Sequence, residues 1–112
     1  MQGKYAEIHT ANRDADDDYD GRLFSFVRWQ GEERLIVVTN FDSEKSYELF
    51  MTLPPDVVSE WRLEPSRYVL EEQLYGENND HLVVNEGKGT FGVRLAPLES
   101  VVYRVGRRDI VR

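Results

Sequence analysis

"ERLIVVTNF", residues 33–41, decides the fold of this chain. In a strand, successive side chains point to opposite faces, so Leu35, Val37, Thr39 and Phe41 share one side. Ile36, Val38 and Asn40 share the other. Both sides are largely apolar, which is expected of a central strand covered on two sides. Just upstream, "RLFSFVRWQ" (22–30) alternates in the same way, and Gly31 with the polar pair Glu32–Glu33 reads as the turn of a hairpin.

The same period of two recurs further along. "SYELFMTL" (46–53) sends Tyr47, Leu49, Met51 and Leu53 one way, and Pro54–Pro55 ends it because proline cannot donate to a ladder. "DVVSEWRL" (56–63) and "RYVLEEQL" (67–74) read as two more strands, although the first also fits a single helical turn. "HLVVN" (81–85), "GTFGVRL" (89–95) and "ESVVYRV" (99–105) follow, separated by turn-rich "YGENND", "NEGKG" and "APLE". With "GKYAEIH" (3–9) in front, short strands recur at roughly ten-residue spacing, the pattern of a sandwich or barrel. Thirteen valines against four alanines point the same way, since β-branched side chains suit a pleated surface. The expected fold is an all-β, antiparallel two-sheet β-sandwich of Greek-key type with about eight strands. It forms one domain over 1–112: an entry segment (1–12), an acidic loop (13–21), the sandwich (22–105) and a basic tail (106–112).

Charge and composition narrow the function. A net charge of −7 repels nucleic acid unless a basic patch is set apart. The local basic excess, Arg104, Arg107, Arg108 and Arg112, lacks interleaved aromatics, so no nucleic-acid partner is expected. No apolar run approaches the roughly 20 residues of a membrane span, and no membrane partner is expected. The absence of cysteine removes disulfides, thiolate metal sites and cysteine nucleophiles together.

"DADDDYDG" (14–21) resembles half of a calcium loop, with Asp16, Asp18 and Asp20 at alternate positions and Gly21 after them. The bidentate glutamate of such a loop would fall at Val27, inside a strand, so an EF-hand is excluded. An irregular calcium site on Asp16, Asp18 and Asp20 is the alternative to a solvated acidic connection, which is the preferred reading, and no cofactor is expected. No pair among the 21 Asp and Glu stands out as catalytic. His9 and His81 lack a ligand-spaced partner, and no serine sits in a nucleophile elbow. Trp29, Trp61 and Tyr75 would suit contact with sugar rings if exposed together. Trp29 shares a face with Leu23, Ser25 and Val27, and Trp61 with Val57 and Leu63, so core packing is the simpler reading for both.

Several of these stretches together resemble the C-terminal all-β domain of the alpha-amylase family of glycoside hydrolases. "QGKYAEIHTAN" (2–12) is similar to the segment entering that domain, through Gly3, Lys4, Tyr5 and Asn12. "LFSFVRWQGEERLIVVTNF" (23–41) is similar to its next hairpin, closing on Asn40 and Phe41. "VRLAPLESVVYRV" (93–105) is similar to its final pair of strands around a corner with Pro97 before Glu99–Ser100. The family's catalytic carboxylates lie on a (β/α)8 barrel that this chain lacks, so the resemblance implies no catalytic residue here. It implies an accessory domain that packs on the catalytic barrel of the same parent chain and stabilises it. Tyr5, Ile8, Phe24 and Phe26 are the expected interface residues. The alternative is a carbohydrate-binding module that holds alpha-glucan through Trp29, Trp61 or Tyr75.

Overall fold

The computed structural model describes residues 4–9, 11–12, 22–74 and 80–108, with the backbone alone at 107 and 108. Among the described residues eight strands form: β1 (Lys4–Glu7), β2 (Leu23–Gln30), β3 (Glu33–Asn40), β4 (Tyr47–Leu53), β5 (Ser66–Glu72), β6 (Asp80–Asn85), β7 (Lys88–Leu95) and β8 (Ser100–Arg108). All the pairings are antiparallel. The all-β expectation therefore holds. One segment differs: Pro55–Glu60 forms a short helix, α1, in place of a strand. Val57, Val58 and Trp61 are its buried side, and Trp61 lies four and three residues beyond the two valines, spacings that both meet on one face of a helix, whereas in a strand a spacing of three falls on opposite faces. Pro55 suits the first helical position, where its missing N–H costs nothing.

The ladder also differs from two separate layers. It joins every strand into one sheet in the order β1-β2-β3-β8-β5-β6-β7-β4, which curls into a half-barrel. Strand β8 makes the join. Its first half pairs with β3 from Leu35↔Arg104 to Thr39↔Ser100, while its second half pairs with β5 out to Tyr68↔Arg108. A register shift between Tyr68 and Leu70 bends that second ladder. Strands β5, β6 and β7 run as a meander and β4 lies beside β7, a Greek-key connection made through α1. β8 also carries the chain in strand to Arg108, past the expected end of the sandwich at Val105.

The concave side holds the core. Leu23 and Val27 of β2, Ile36 and Val38 of β3, Met51 and Leu53 of β4, Leu70 of β5 and Leu82 of β6 are buried there. Phe91 and Tyr103 meet edge to face across it, with ring centroids 6.3 Å apart. Two buried asparagines fasten the ends. Asn12 follows β1 at one sheet edge, yet its amide reaches β4 at the other. Its Oδ1 accepts from Thr52 N–H at 2.6 Å, and its Nδ2 donates to Thr52 O at 3.0 Å and to Ile8 O at 2.8 Å. A side chain thus supplies the backbone contacts that a closing strand would have made. Asn40 ends β3 and donates to Lys45 O at 2.8 Å and Ala96 O at 3.0 Å, while its Oδ1 accepts from Asp42 N–H. The Asp42 carboxylate accepts from the N–H groups of Glu44 and Lys45 in turn, and these bonds hold its pKa below the usual aspartate value.

Candidate docking face and aromatic cleft

The convex side of β1-β2-β3-β8 follows from the registers. Phe26 of β2 stands opposite Val37 of β3, and Val37 stands opposite Val102 of β8. Phe24 pairs with Thr39, Arg28 with Leu35 and with Tyr5, so these side chains share the same outer face. Tyr5 is 75% exposed and Phe24 40%, while Phe26, Leu35, Val37 and Val102 are half-buried. The rings form a run: Tyr5 meets Phe26 edge to face at 6.5 Å, Phe26 lies 6.0 Å from Phe24, and His9 covers Phe24 at 5.6 Å. At the border, Arg104 donates to Glu71 at 2.9 Å, giving a charged rim to an apolar centre. The half-buried status of Leu35 and Val37 explains why β3 is apolar on both sides. One side fills the core, and the other belongs to this face.

Ile8 does not join it. It is fully buried in the core, because the chain turns inward after β1 and Ile8 N–H donates to Ser25 O on the concave side. The expected interface set therefore loses Ile8. Leu35, Val37 and Val102 stand on the face that the set left out. Their signal was present in the alternation of β3 and β8, but pairing those strands needs the register.

The tryptophans come together at the opposite side of β2. Trp29 is half-buried and Trp61 is 2% exposed, and the two rings meet edge to face at 5.9 Å. Trp61 is thus a core residue, as α1 carries it under the sheet, and it presents no open ring face to a sugar. Trp29 borders a cleft of about 420 Å³ between the β2–β3 turn, the start of β1 and the end of α1. Tyr75, and Asp16, Asp18 and Asp20, lie outside the described residues. Among the described residues no group of three potential metal ligands gathers, and no helix is long and apolar enough to cross a membrane.

Comparison with known proteins bears on this geometry. The family model for the alpha amylase, C-terminal all-beta domain, matches residues 14–106. No curated protein sequence matches. Among solved structures, an alpha-amylase from Anoxybacillus is 18% identical with a TM-score of 0.57, and the match covers 97% of this chain and 19% of that one. A variant of AmyP in complex with maltotriose is 14% identical with a TM-score of 0.54, covering 96% of this chain and 17% of that one. At such identities the likeness establishes the fold, and the chain spans less than a fifth of either protein. With its family model matched over most of its length and its eight antiparallel strands in place, the chain belongs to the alpha-amylase C-terminal all-β domain family.

Proposed function

We propose that this chain is a non-catalytic accessory domain of an alpha-amylase-like glycoside hydrolase. It packs the convex face of β1-β2-β3-β8 on the catalytic (β/α)8 barrel of the same parent chain and stabilises that barrel. The observation that carries the reading is the run of Tyr5, Phe24 and Phe26 on a sheet face that the domain's own core does not use. An apolar face with a charged rim suits burial against a neighbouring domain, where intrachain interfaces cover about 600–1,500 Å². Family membership supports the choice of neighbour, and so does the small share of the two amylases that this chain matches.

The test uses the full-length enzyme. Replacing Tyr5 and Phe24 together with serine removes rings that lie outside the core but touch Phe26 and His9, so the isolated domain should lose only about 1–2 kcal/mol. The melting temperature of the catalytic barrel in the full-length variant should fall by several degrees. Equal melting of variant and parent enzyme would refute the docking role.

A further inference from the structure

We propose that the cavity between the start of β6 and the end of β7 is a binding site for an aliphatic polyamine. It shares no lining residue with the docking face, so the two roles stand or fall separately.

Strand pairing creates the opening. β6 and β7 pair from Val83↔Thr90 to Asn85↔Lys88 and no further. β7 stays on β4 as far as Leu95↔Tyr47, while β6 follows β5 to Leu70↔Asp80. The two strands therefore part, and a cavity of about 710 Å³ lies at the gap, within the range of small-ligand pockets. Leu49, Val93 and Val101 of the core give it an apolar floor.

The walls select a cation. Glu48, Glu72, Asp80 and Glu99 bring four carboxylates, against one basic lining residue, Arg94, which Glu48 already holds at 3.3 Å. Glu72 is 5% exposed, and its Oε2 accepts from the N–H groups of Leu74 and Val102, which fixes the carboxylate in place. Asp80 and Phe50 flank Gly92. A Cβ there would sit 3.3 Å from Asp80 Oδ2 and 3.7 Å from the Phe50 ring, so a carboxylate and an exposed aromatic ring stand together. Acid beside ring suits an ammonium group.

Tyr103 points to a ligand independently of these charges. It is 4% exposed and lines the cavity, yet its hydroxyl has no hydrogen-bond partner among the described residues. A buried hydroxyl in that state is costly unless a bound group satisfies it. Burial, then the carboxylates of Asp80, Glu72 and Glu99, raise its pKa to about 12, so it stays a neutral phenol able to accept from an ammonium. A single metal ion does not fit, because no three potential ligands gather among the described residues. Separated carboxylates above an apolar floor fit ammonium groups spaced along a methylene chain, with the chain resting on the floor.

Calorimetric titration of the 112-residue chain with putrescine and with spermidine, at low salt, tests this. Saturable binding at millimolar concentration or below is expected. Butylamine, with a single ammonium, should bind about tenfold more weakly than putrescine. Tyr103→Phe removes the phenol O–H at unchanged charge and should weaken spermidine about threefold or more. Asp80→Asn, at a half-buried position that the fold tolerates, should weaken it about tenfold. Glu33→Gln removes the same charge at the end of β3 away from Asn40 and Ala96, and should change binding less than about twofold. Thermal melting checks that each variant is folded. The proposal is overturned by no saturation through tens of millimolar, or by magnesium chloride saturating the chain as spermidine does. Butylamine binding as tightly as putrescine, Tyr103→Phe binding as the parent chain does, or Glu33→Gln costing as much as Asp80→Asn would overturn it equally.

Discussion

Replacing Asn12 with alanine should cost this small sheet a large part of its stability. The Asn12 amide makes three hydrogen bonds to backbone groups, two of them to Thr52 on the far edge of the sheet. Each neutral bond contributes about 1 kcal/mol net, and a buried group left unpaired costs about 1–3 kcal/mol. Asn12 itself is 1% exposed, whereas Thr52 is half-buried, so water recovers part of what Thr52 loses. The expected loss is about 2–4 kcal/mol. At roughly 4 °C per kcal/mol for a domain of this size, the melting temperature should fall by about 8–16 °C. Urea unfolding followed by circular dichroism measures it, with the loss appearing in the midpoint at unchanged slope. Asn85→Ala, at an exposed position on β6, serves as the control and should stay within about 0.5 kcal/mol. If Asn12→Ala lost no more than that control, the curled sheet would hold its two edges together without this side chain, and the reasoning would fail.

Other perturbations follow from the same core. A Cβ at Gly89 would sit 2.9 Å from Leu82 Cδ1 and 3.0 Å from Leu53 Cβ, so Gly89→Ala should destabilise by about 1–3 kcal/mol through overpacking. A thermal midpoint equal to that of the parent chain would show that β6 and β4 give way freely there. Burial, with the Asp80, Glu72 and Glu99 carboxylates adding to it, raises the Tyr103 phenol from 10.0 to about 12. In the unfolded chain the phenol ionises near its usual value, so its stabilising contribution is complete below pH 10 and is lost as the pH climbs towards 12. Tyr103→Phe should therefore lose less stability between pH 9 and pH 11 than the parent chain, as read from urea midpoints. Parallel losses in the two proteins would exclude this tyrosine as a source of alkaline sensitivity.

Much of this protein was written in its alternation. The period of two along residues 22–53 and 81–105 determined the strands and separated core from surface on each, because a pleat forces that division. The segment at 56–61 was ambiguous, since a few apolar residues fit either period, and packing under the sheet settled it as α1. The resemblance picked out Asn12 and Asn40 by position, yet their work as clasps was hidden. A buried amide reveals its role only when its distant partners, Thr52 and Ala96, are in place. The same holds for the two surfaces. Local pattern could place Phe24 and Phe26 together, but Val102 joins them only through the β3–β8 register. Ile8 left that face because the chain turns inward after β1. Trp29 and Trp61 met because α1 folds back under β2. Sequence sets which side of a strand is apolar; long-range pairing sets which strands share that side, since strand order and curl arise from contacts between residues far apart in the chain.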